Sequence, residues 1–374
     1  MIQPRSEQVL SVPWARPSIE DGEISEVLDS LRSGWISMGP KVKALETELA
    51  KYVGVRNAVA VSTGTAALDV ALRAIGIGPG DEVIVPCLTY IATVNAVRYQ
   101  GATPVLADVD PGTFNIDPQA VQGRVTPRTK AILPIDYGGL AADCETLERI
   151  CGEQGLDLVK DGAQSLGGSF RGESLLAHGR LSTLSLHTAK VMTSIEGGIV
   201  FSDDIELDRF GRIFRNQGED PEVKYRHPVV GQNYRMSDVH AAVGLAQFRR
   251  LDEFLKKRRE IAGAYTEAFA KEDGIRLQQI PEGATHPWFF YAVLVPRRDK
   301  VVEALRHDRI ETRVGFPYPV HEQPPYRNLG RVGEYPCAEE IAAHVIDLPM
   351  FFGMTDDQRD HVIKSLRSAV RTHG

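Results

Sequence analysis

The chain lacks features that would place it in several other protein classes. Only four of its 374 residues are cysteines and none form a Cys-x-x-Cys pair, which argues against a zinc ribbon and is typical of reduced cytoplasmic thiols. No apolar run approaches the roughly 20 residues that span a bilayer, and no apolar core near the start suggests a secretory signal. A net charge of −7 gives no basic face for nucleic acid. We therefore expect a cytoplasmic protein that binds neither membrane nor nucleic acid, with no metal site.

What the chain does have is the pattern of an α/β protein. From about 57 to 205, short β-branched runs alternate with helical stretches, which predicts a mostly parallel sheet covered on both faces. Ser237 predicts the N-cap of one long helix that ends before Asp273. Beyond it, a strand and two helices indicate a second unit. We place the boundary near residue 250, which gives domains 1–250 and 251–374. The candidate strands of the first unit are 58–61, 82–85, 103–106, 131–133, 156–159 and 182–186.

Lys190 is the most informative residue of the first unit. It stands alone among small and apolar residues, ahead of the Glu-Gly-Gly turn at 196–198. Burial favours the neutral amine, which is a nucleophile that condenses with aldehydes. The aldehyde that we expect is pyridoxal phosphate, because residues suited to its pyridine ring and its phosphate occur upstream.

Those residues follow predicted strands. Asp161 comes after the strand 156–159, where its carboxylate can pair with a protonated pyridine nitrogen and Gln164 can contact the ring. Gly64 and Thr65 lie at a strand-to-helix turn, which is an anion site, and Ser185 offers a further donor to phosphate. Each pattern has an ordinary alternative, namely a helix cap for the aspartate, a glycine turn with a threonine cap, and a strand-end serine. Nucleotide-triphosphate and dinucleotide motifs are absent.

Several separated motifs in the right order resemble the DegT/DnrJ/EryC1/StrS family of pyridoxal-phosphate-dependent sugar aminotransferases. The resemblance runs over nearly the whole chain. It implies the aspartate aminotransferase-like, fold-type I architecture: an α/β large domain with a mostly parallel seven-stranded sheet between helices, and a smaller C-terminal α+β domain. The motifs are SGWISMGP at 33–40, GDEVIVP at 80–86, GQNYRMS at 231–237 and DLP at 347–349.

The resemblance also implies residue roles. Lys190 is the lysine that bonds covalently to the cofactor, Asp161 is the partner of the pyridinium, and family members are homodimers with shared active sites. A branch of the family that lacks the lysine performs dehydration, and Lys190 argues against that branch. The other implied roles are stacking on the ring by Tyr90, a ring contact by Gln164, and phosphate contacts by Gly64, Thr65, Ser185 and Asn233 of the partner subunit.

The implied reaction moves an amino group from L-glutamate or glutamine to a nucleotide-linked keto sugar, such as a 4-keto-6-deoxyhexose. A keto-cyclitol such as scyllo-inosose, or a precursor of an aminobenzoate, is an alternative substrate with the same cofactor residues. A non-catalytic relative is a third possibility, for which loss of Lys190 or Asp161 would be the sign. The candidate substrate residues are His187, Arg235, Arg313 and His321.

Four positions depart from the usual family pattern. Leu186 replaces phenylalanine and Ile195 replaces glycine, and we interpret both as packing changes. Lys160 replaces an acidic residue, and Asp136 replaces a histidine. Of the four, Asp136 is the one expected to alter contacts with the ring or the sugar.

Overall fold

A computed structural model describes residues 10–373 of the chain. Seven of its strands form one large sheet, and the other strands form two small sheets. The strands are β1 (Asn57–Val61), β2 (Glu82–Pro86), β3 (Thr103–Ala107), β4 (Thr129–Ile132), β5 (Asp157–Asp161), β6 (Ser169–Phe170), β7 (Glu173–Ser174), β8 (Leu181–Ser185), β9 (Gly198–Ser202), β10 (Arg276–Leu277), β11 (Ala284–Thr285), β12 (Tyr291–Leu294) and β13 (Val345–Leu348).

The large sheet has the order β1-β9-β8-β5-β4-β2-β3. The pairs β2/β3, β2/β4, β4/β5 and β5/β8 are parallel, whereas β9 is antiparallel to both β8 and β1. The predicted mostly parallel seven-stranded sheet is thus confirmed. The strand missing from the six candidates is β9, which begins at a glycine. A β-carbon on Gly198 would lie 2.3 Å from the carbonyl oxygen of Thr63, so a side chain there would clash.

Helices cover both faces of this sheet and build most of the C-terminal unit. Among residues 10–373, none of the helices combines the length and the hydropathy of a membrane span. The helices are α1 (Asp21–Ser33), α2 (Pro40–Val53), α3 (Gly64–Ala74), α4 (Ile91–Tyr99), α5 (Pro118–Gln122), α6 (Cys144–Gln154), α7 (Ile205–Phe214), α8 (Asp238–Arg249), α9 (Leu251–Phe269), α10 (Arg298–His307), α11 (Pro336–His344) and α12 (Asp356–His373).

The long helix predicted from Ser237 onward is two helices. Ser237 is the N-cap of α8, as expected, and its hydroxyl accepts the N–H of His240. The prediction of one unbroken helix is wrong, because Arg250 leaves helical geometry at φ −105° and ψ 4°. The Arg250 guanidinium pairs with Glu20 and Glu23 at the start of α1, and these contacts hold the chain at the break. The domain boundary near residue 250 remains a prediction.

The C-terminal unit has its own antiparallel sheet, β10-β12-β13. Helices α9, α10 and α12 pack their apolar faces around it, and Val293, Leu305 and Leu366 are fully buried in that second core. Residues from this unit also reach the large sheet, because Phe289 and Phe290 belong to the main core. The two units therefore meet beside the carboxyl ends of the parallel strands.

Candidate active site

A cavity of about 410 Å³ lies where the two units meet. Open parallel sheets bind ligands at this edge, outside the carboxyl ends of their strands. We call its two sides the strand wall and the C-terminal wall. The strand wall comprises 63–65, Thr89, Tyr90, Asp136, Asp161, Gln164, Ser185, His187, Ala189, Lys190 and Glu196; the C-terminal wall comprises Phe289, Phe290, Arg313, Gly315, Phe316 and Asp347.

Lys190 projects from the strand wall, in the turn that follows β8. Its Nζ lies 4.4 Å from the ring centroid of Phe289, and no carboxylate of residues 10–373 is within 4 Å of it. Burial lowers the pKa of Lys190 to about 8; the Arg313 cation acts in the same direction, while Asp161 opposes it. About a tenth of such an amine is neutral at pH 7. The residue is therefore a partly buried amine that is available as a nucleophile.

Asp161 ends β5 and is buried beneath the cavity. Its Oδ2 accepts the hydroxyl of Thr93 at 2.8 Å, and its Oδ1 accepts the N–H of Ala163 at 3.1 Å. Burial raises the pKa of Asp161, whereas these hydrogen bonds and Lys190 lower it. The Thr93 hydroxyl is in turn 2.8 Å from that of Thr89. Sequence reasoning missed this relay, although the i, i+4 spacing of two threonines at a helix start is a signal for it.

The N-terminus of α3 forms the third part of the strand wall. Thr63 is its N-cap and accepts the N–H of Ala66 at 3.0 Å, which leaves the N–H groups of Gly64 and Thr65 without an acceptor in the helix. A β-carbon on Gly64 would lie 2.8 Å from that of Ser185, so only glycine allows this close approach. The helix start and the end of β8 thus make an anion site beside Lys190.

Four further predicted residues reach the cavity. Gln164 is fixed there by the N–H of Gly138, which donates to its Oε1 at 2.7 Å. Tyr90 stands at the head of α4 with more than half of its surface exposed. His187 lies at the rim, 3.7 Å from Glu196. Arg313 comes from the C-terminal wall, where its guanidinium rests over the ring of Trp14.

Three predicted residues do not line the cavity of this chain. His321 is buried in a 3-10 turn, against Tyr335 and 3.1 Å from Glu339. Arg235 donates to the side-chain oxygen of Asn216 at 2.9 Å. Asn233 is exposed and pairs with Asn216 through its backbone, so its contribution to a partner's site remains a prediction.

Leu186 and Ile195, two of the four departures from the family pattern, differ in burial and in backbone conformation. Leu186 is fully buried, as a packing change requires. The same interpretation of Ile195 is wrong, because Ile195 is 45% exposed and has φ 69°, a left-handed conformation that disfavours β-branched residues. Hydrogen bonds from its N–H to Thr193 and from Thr188 to its carbonyl hold it there.

The strand wall fits pyridoxal phosphate. A partly buried amine, a buried carboxylate and a helix N-terminus surround one space, and the cofactor's aldehyde, pyridine nitrogen and phosphate need these groups. The chain also matches the sequence profile of the DegT/DnrJ/EryC1/StrS aminotransferase family over residues 17–367. The chain belongs to this family. It is a pyridoxal-phosphate-dependent aminotransferase, as the resemblance implied.

Individual relatives agree with this assignment. The chain is 38% identical to the GDP-perosamine synthase of Caulobacter vibrioides, with 94% of this chain and 96% of the relative covered. The crystal structure of S. venezuelae DesV superposes with a TM-score of 0.93 at 33% identity, covering 96% and 98% of the two chains. A Streptococcus pneumoniae protein described as a sugar aminotransferase, in its PLP form, gives 0.92 at 28% identity, covering 97% and 99%.

Proposed function

We propose that this aminotransferase moves an amino group from L-glutamate or glutamine to a nucleotide-linked keto sugar, most simply a 4-keto-6-deoxyhexose. The observation that carries the proposal is the 38% identity to a GDP-perosamine synthase along almost the entire length of both chains. The name of that relative describes a nucleotide-linked amino sugar. The cavity supports the same substrate class, because the wall opposite Lys190 carries the Arg313 cation, which has no carboxylate within 4 Å among residues 10–373.

The strand wall would hold the cofactor. Asp161 would pair with the pyridine nitrogen, Gln164 and Tyr90 would contact the ring, and the N-terminus of α3 with Ser185 would bind the phosphate. Bound pyridoxal phosphate supplies an electron sink for the carbanion that transamination forms.

Lys190 moves the proton of the reaction. Because the pKa of Lys190 is lowered to about 8, its Nζ can accept the α-proton of the amino donor near neutral pH. The same Nζ then donates this proton to the cofactor. Phe289 covers this amine with an aromatic face and limits the access of water to it. A non-catalytic relative would be expected to have lost Lys190 or Asp161, and the chain keeps both in one cavity.

The C-terminal wall would bind the substrate. Arg313 suits the diphosphate of a nucleotide sugar, because a guanidinium donates two parallel hydrogen bonds to phosphate oxygens. His187, at the rim, is placed for a sugar hydroxyl. Arg235 and His321 remain candidates only for a site completed by a second subunit or by a movement of the chain. A keto-cyclitol has no phosphate and would leave Arg313 without an anion.

A homodimer in the cytoplasm completes the proposal. Exposed apolar side chains recur along α1 and just after it, and such a stripe is typical of a surface that another chain covers. Asn233 is exposed, as a residue that contacts a partner subunit's cofactor has to be before assembly. The stripe consists of Ile24, Leu28, Leu31, Trp35 and Ile36.

The test is the reverse half-reaction. Enzyme loaded with pyridoxal phosphate is mixed with GDP-perosamine, with UDP- and dTDP-linked amino sugars, with free perosamine and with scyllo-inosamine, and the visible absorbance of the cofactor is followed. We expect the visible absorbance of the cofactor to be lost with at least one nucleotide-linked amino sugar and to change little with the free sugar. Conversion of scyllo-inosamine alone would establish the cyclitol alternative instead.

A further inference from the structure

A buried ion pair lies directly behind Asp161. Lys160, the preceding residue of β5, has its Nζ 3.1 Å from Oδ2 of Asp136, and both side chains are 0% exposed. The Nζ also lies 2.9 Å from the Sγ of Cys144. Both charged residues are departures from the family pattern, and the structure brings these departures into contact with each other.

Asp136 connects the ion pair to the cavity. Its Oδ1 accepts the N–H of Ala142 at 2.9 Å, and its Oδ2 accepts the hydroxyl of Ser165 at 2.5 Å. Ser165 follows Gln164 in the turn that begins at Asp161, and Ile135 forms a β-bridge with Asp161. Asp161 ends β5 and Asp136 follows the end of the neighbouring β4 by four residues, and both carboxylates line the cavity.

These carboxylates repel each other, because both are buried where solvent screens charge poorly. Burial has the largest effect in raising the pKa of Asp161, and the charge of Asp136 adds to it. Among residues 10–373, Lys160 is the only cation within 4 Å of the Asp136 carboxylate. Burial lowers the pKa of Lys160, but the attraction to Asp136 and the contact with Cys144 outweigh this effect and raise it. Lys160 thus stays charged and neutralises Asp136.

We propose that Lys160 is a positioning residue that keeps Asp161 anionic for the pyridine nitrogen by neutralising Asp136. The inference rests on the role of Asp161 proposed above. Without Lys160, the buried charge of Asp136 would lose its paired cation, its repulsion would raise the pKa of Asp161 further against the opposing effect of Lys190, and Asp161 would take up a proton. A protonated Asp161 attracts a pyridinium far less than a carboxylate does. The phosphate and amine contacts of the cofactor would be unaffected.

The experiment measures dissociation constants for pyridoxal phosphate and for deazapyridoxal phosphate, in which carbon replaces the pyridine nitrogen. For Lys160→Met we expect the first to weaken about tenfold or more and the second to change by less than about twofold. The double variant Lys160→Met/Asp136→Asn removes both charges. It should return within about threefold of the wild type for pyridoxal phosphate.

Two variants serve as controls. Asp208→Asn breaks another ion pair with a buried carboxylate, in which Arg212 lies 2.8 Å from Asp208, outside the cavity lining. It should lower the melting temperature of the apoprotein without changing either dissociation constant. Asp161→Asn should itself weaken pyridoxal phosphate but not the deaza compound. If Asp161→Asn binds pyridoxal phosphate normally, the role of Asp161 is wrong, and the inference about Lys160 falls with it.

The remaining outcomes test Lys160 alone. Equal weakening of both compounds by Lys160→Met, no weakening at all, or no recovery in the double variant would show that the ion pair is merely structural. If Lys160→Met does not fold, Asp136→Asn decides. It removes the repelling carboxylate, so binding of pyridoxal phosphate should be unchanged or tighter, and an approximately tenfold loss would contradict the inference.

Discussion

The strand wall and the C-terminal wall differ in how fully their polar side chains are hydrogen-bonded within the protein. On the strand wall, Asp161, Gln164 and Thr63 are each fixed by hydrogen bonds from the protein. On the C-terminal wall, neither carboxylate oxygen of Asp347 has a hydrogen-bond partner within residues 10–373, although the residue is fully buried. The Arg313 guanidinium lies over Trp14 and has no carboxylate within 4 Å in that part of the chain.

This contrast matches the different ligands that we propose for the two walls. A cofactor that stays through every turnover is best held by groups already fixed in place. A substrate that enters and leaves needs groups that remain free to pair with it. Changes at Lys190, Arg313 and Asp347 test this division, and a change at Ile195 tests local backbone strain outside both walls.

Replacing Lys190 with Ala should have the largest effect. The variant loses the nucleophile and the proton carrier together, so we expect turnover with L-glutamate to fall by about 10³-fold or more. The cofactor should still bind, because the contacts of Asp161 and of the α3 N-terminus remain. Activity assays and equilibrium dialysis with pyridoxal phosphate check both statements. Lys130→Ala, an exposed lysine outside the cavity, is the control. Normal turnover by the Lys190 variant would contradict the account of the strand wall.

Replacing Arg313 with Met tests the opposite wall. The KM of the nucleotide sugar should rise about tenfold, because the diphosphate loses a charged hydrogen-bond donor. The KM of glutamate should change much less. Because the Arg313 cation lowers the pKa of Lys190, its loss should also raise that pKa and slow the capture of pyridoxal phosphate by apoprotein at pH 7. Arg331→Met is a surface control. A larger effect on glutamate than on the sugar would reassign Arg313 to the amino donor.

Replacing Asp347 with Asn should change the stability of the protein by an amount that depends on pH. Burial raises the pKa of Asp347 from 3.8 to about 7, against the opposing effect of Arg313. Between these values the folded protein binds a proton that the unfolded chain has lost, so the free energy of unfolding falls as pH rises. Asn cannot ionise. Relative to wild type, Asp347→Asn should therefore gain about 1 kcal/mol or more between pH 4.5 and pH 8, measured by urea unfolding. A difference that is constant with pH would mean that Asp347 does not titrate in this range.

Replacing Ile195 with Gly should have the smallest effect. A β-branched residue in the left-handed conformation destabilises the fold by about 1 to 2 kcal/mol, and glycine removes this strain. Part of the stabilisation is lost again, because glycine has more conformational freedom in the unfolded chain. We expect a net stabilisation of about 1 kcal/mol or less, seen as a higher melting temperature. Ile195→Ala keeps a β-carbon and should gain less. A lower melting temperature for the glycine variant would show that the isoleucine side chain contributes contacts that outweigh the strain.

The strand wall could be predicted from the sequence because its chemistry follows local order along the chain. Asp161 and Ser185 end strands, Gly64 begins a helix, and Lys190 follows a strand within five residues. The end of a parallel strand and the start of a helix are recognisable from short patterns, and topology then brings these ends to one edge.

The rest depends on contacts between distant segments. Asp347 meets Arg313 through a β-bridge, and Lys160 meets Asp136 across neighbouring strands, so no local spacing indicates either pair. The break at Arg250 likewise depends on contacts with the residues that begin α1. The prolines around His321 in the sequence are typical of a loop, yet its ring is turned into the interior against Tyr335.

The most direct test of the central claim is the absorbance spectrum of the purified protein with pyridoxal phosphate, recorded before and after addition of L-glutamate. The account predicts a visible band from covalently bound cofactor that bleaches when glutamate is added, and no such band in Lys190→Ala. A protein that forms no visible band with pyridoxal phosphate would contradict the assignment of Lys190, and with it the proposed aminotransferase chemistry.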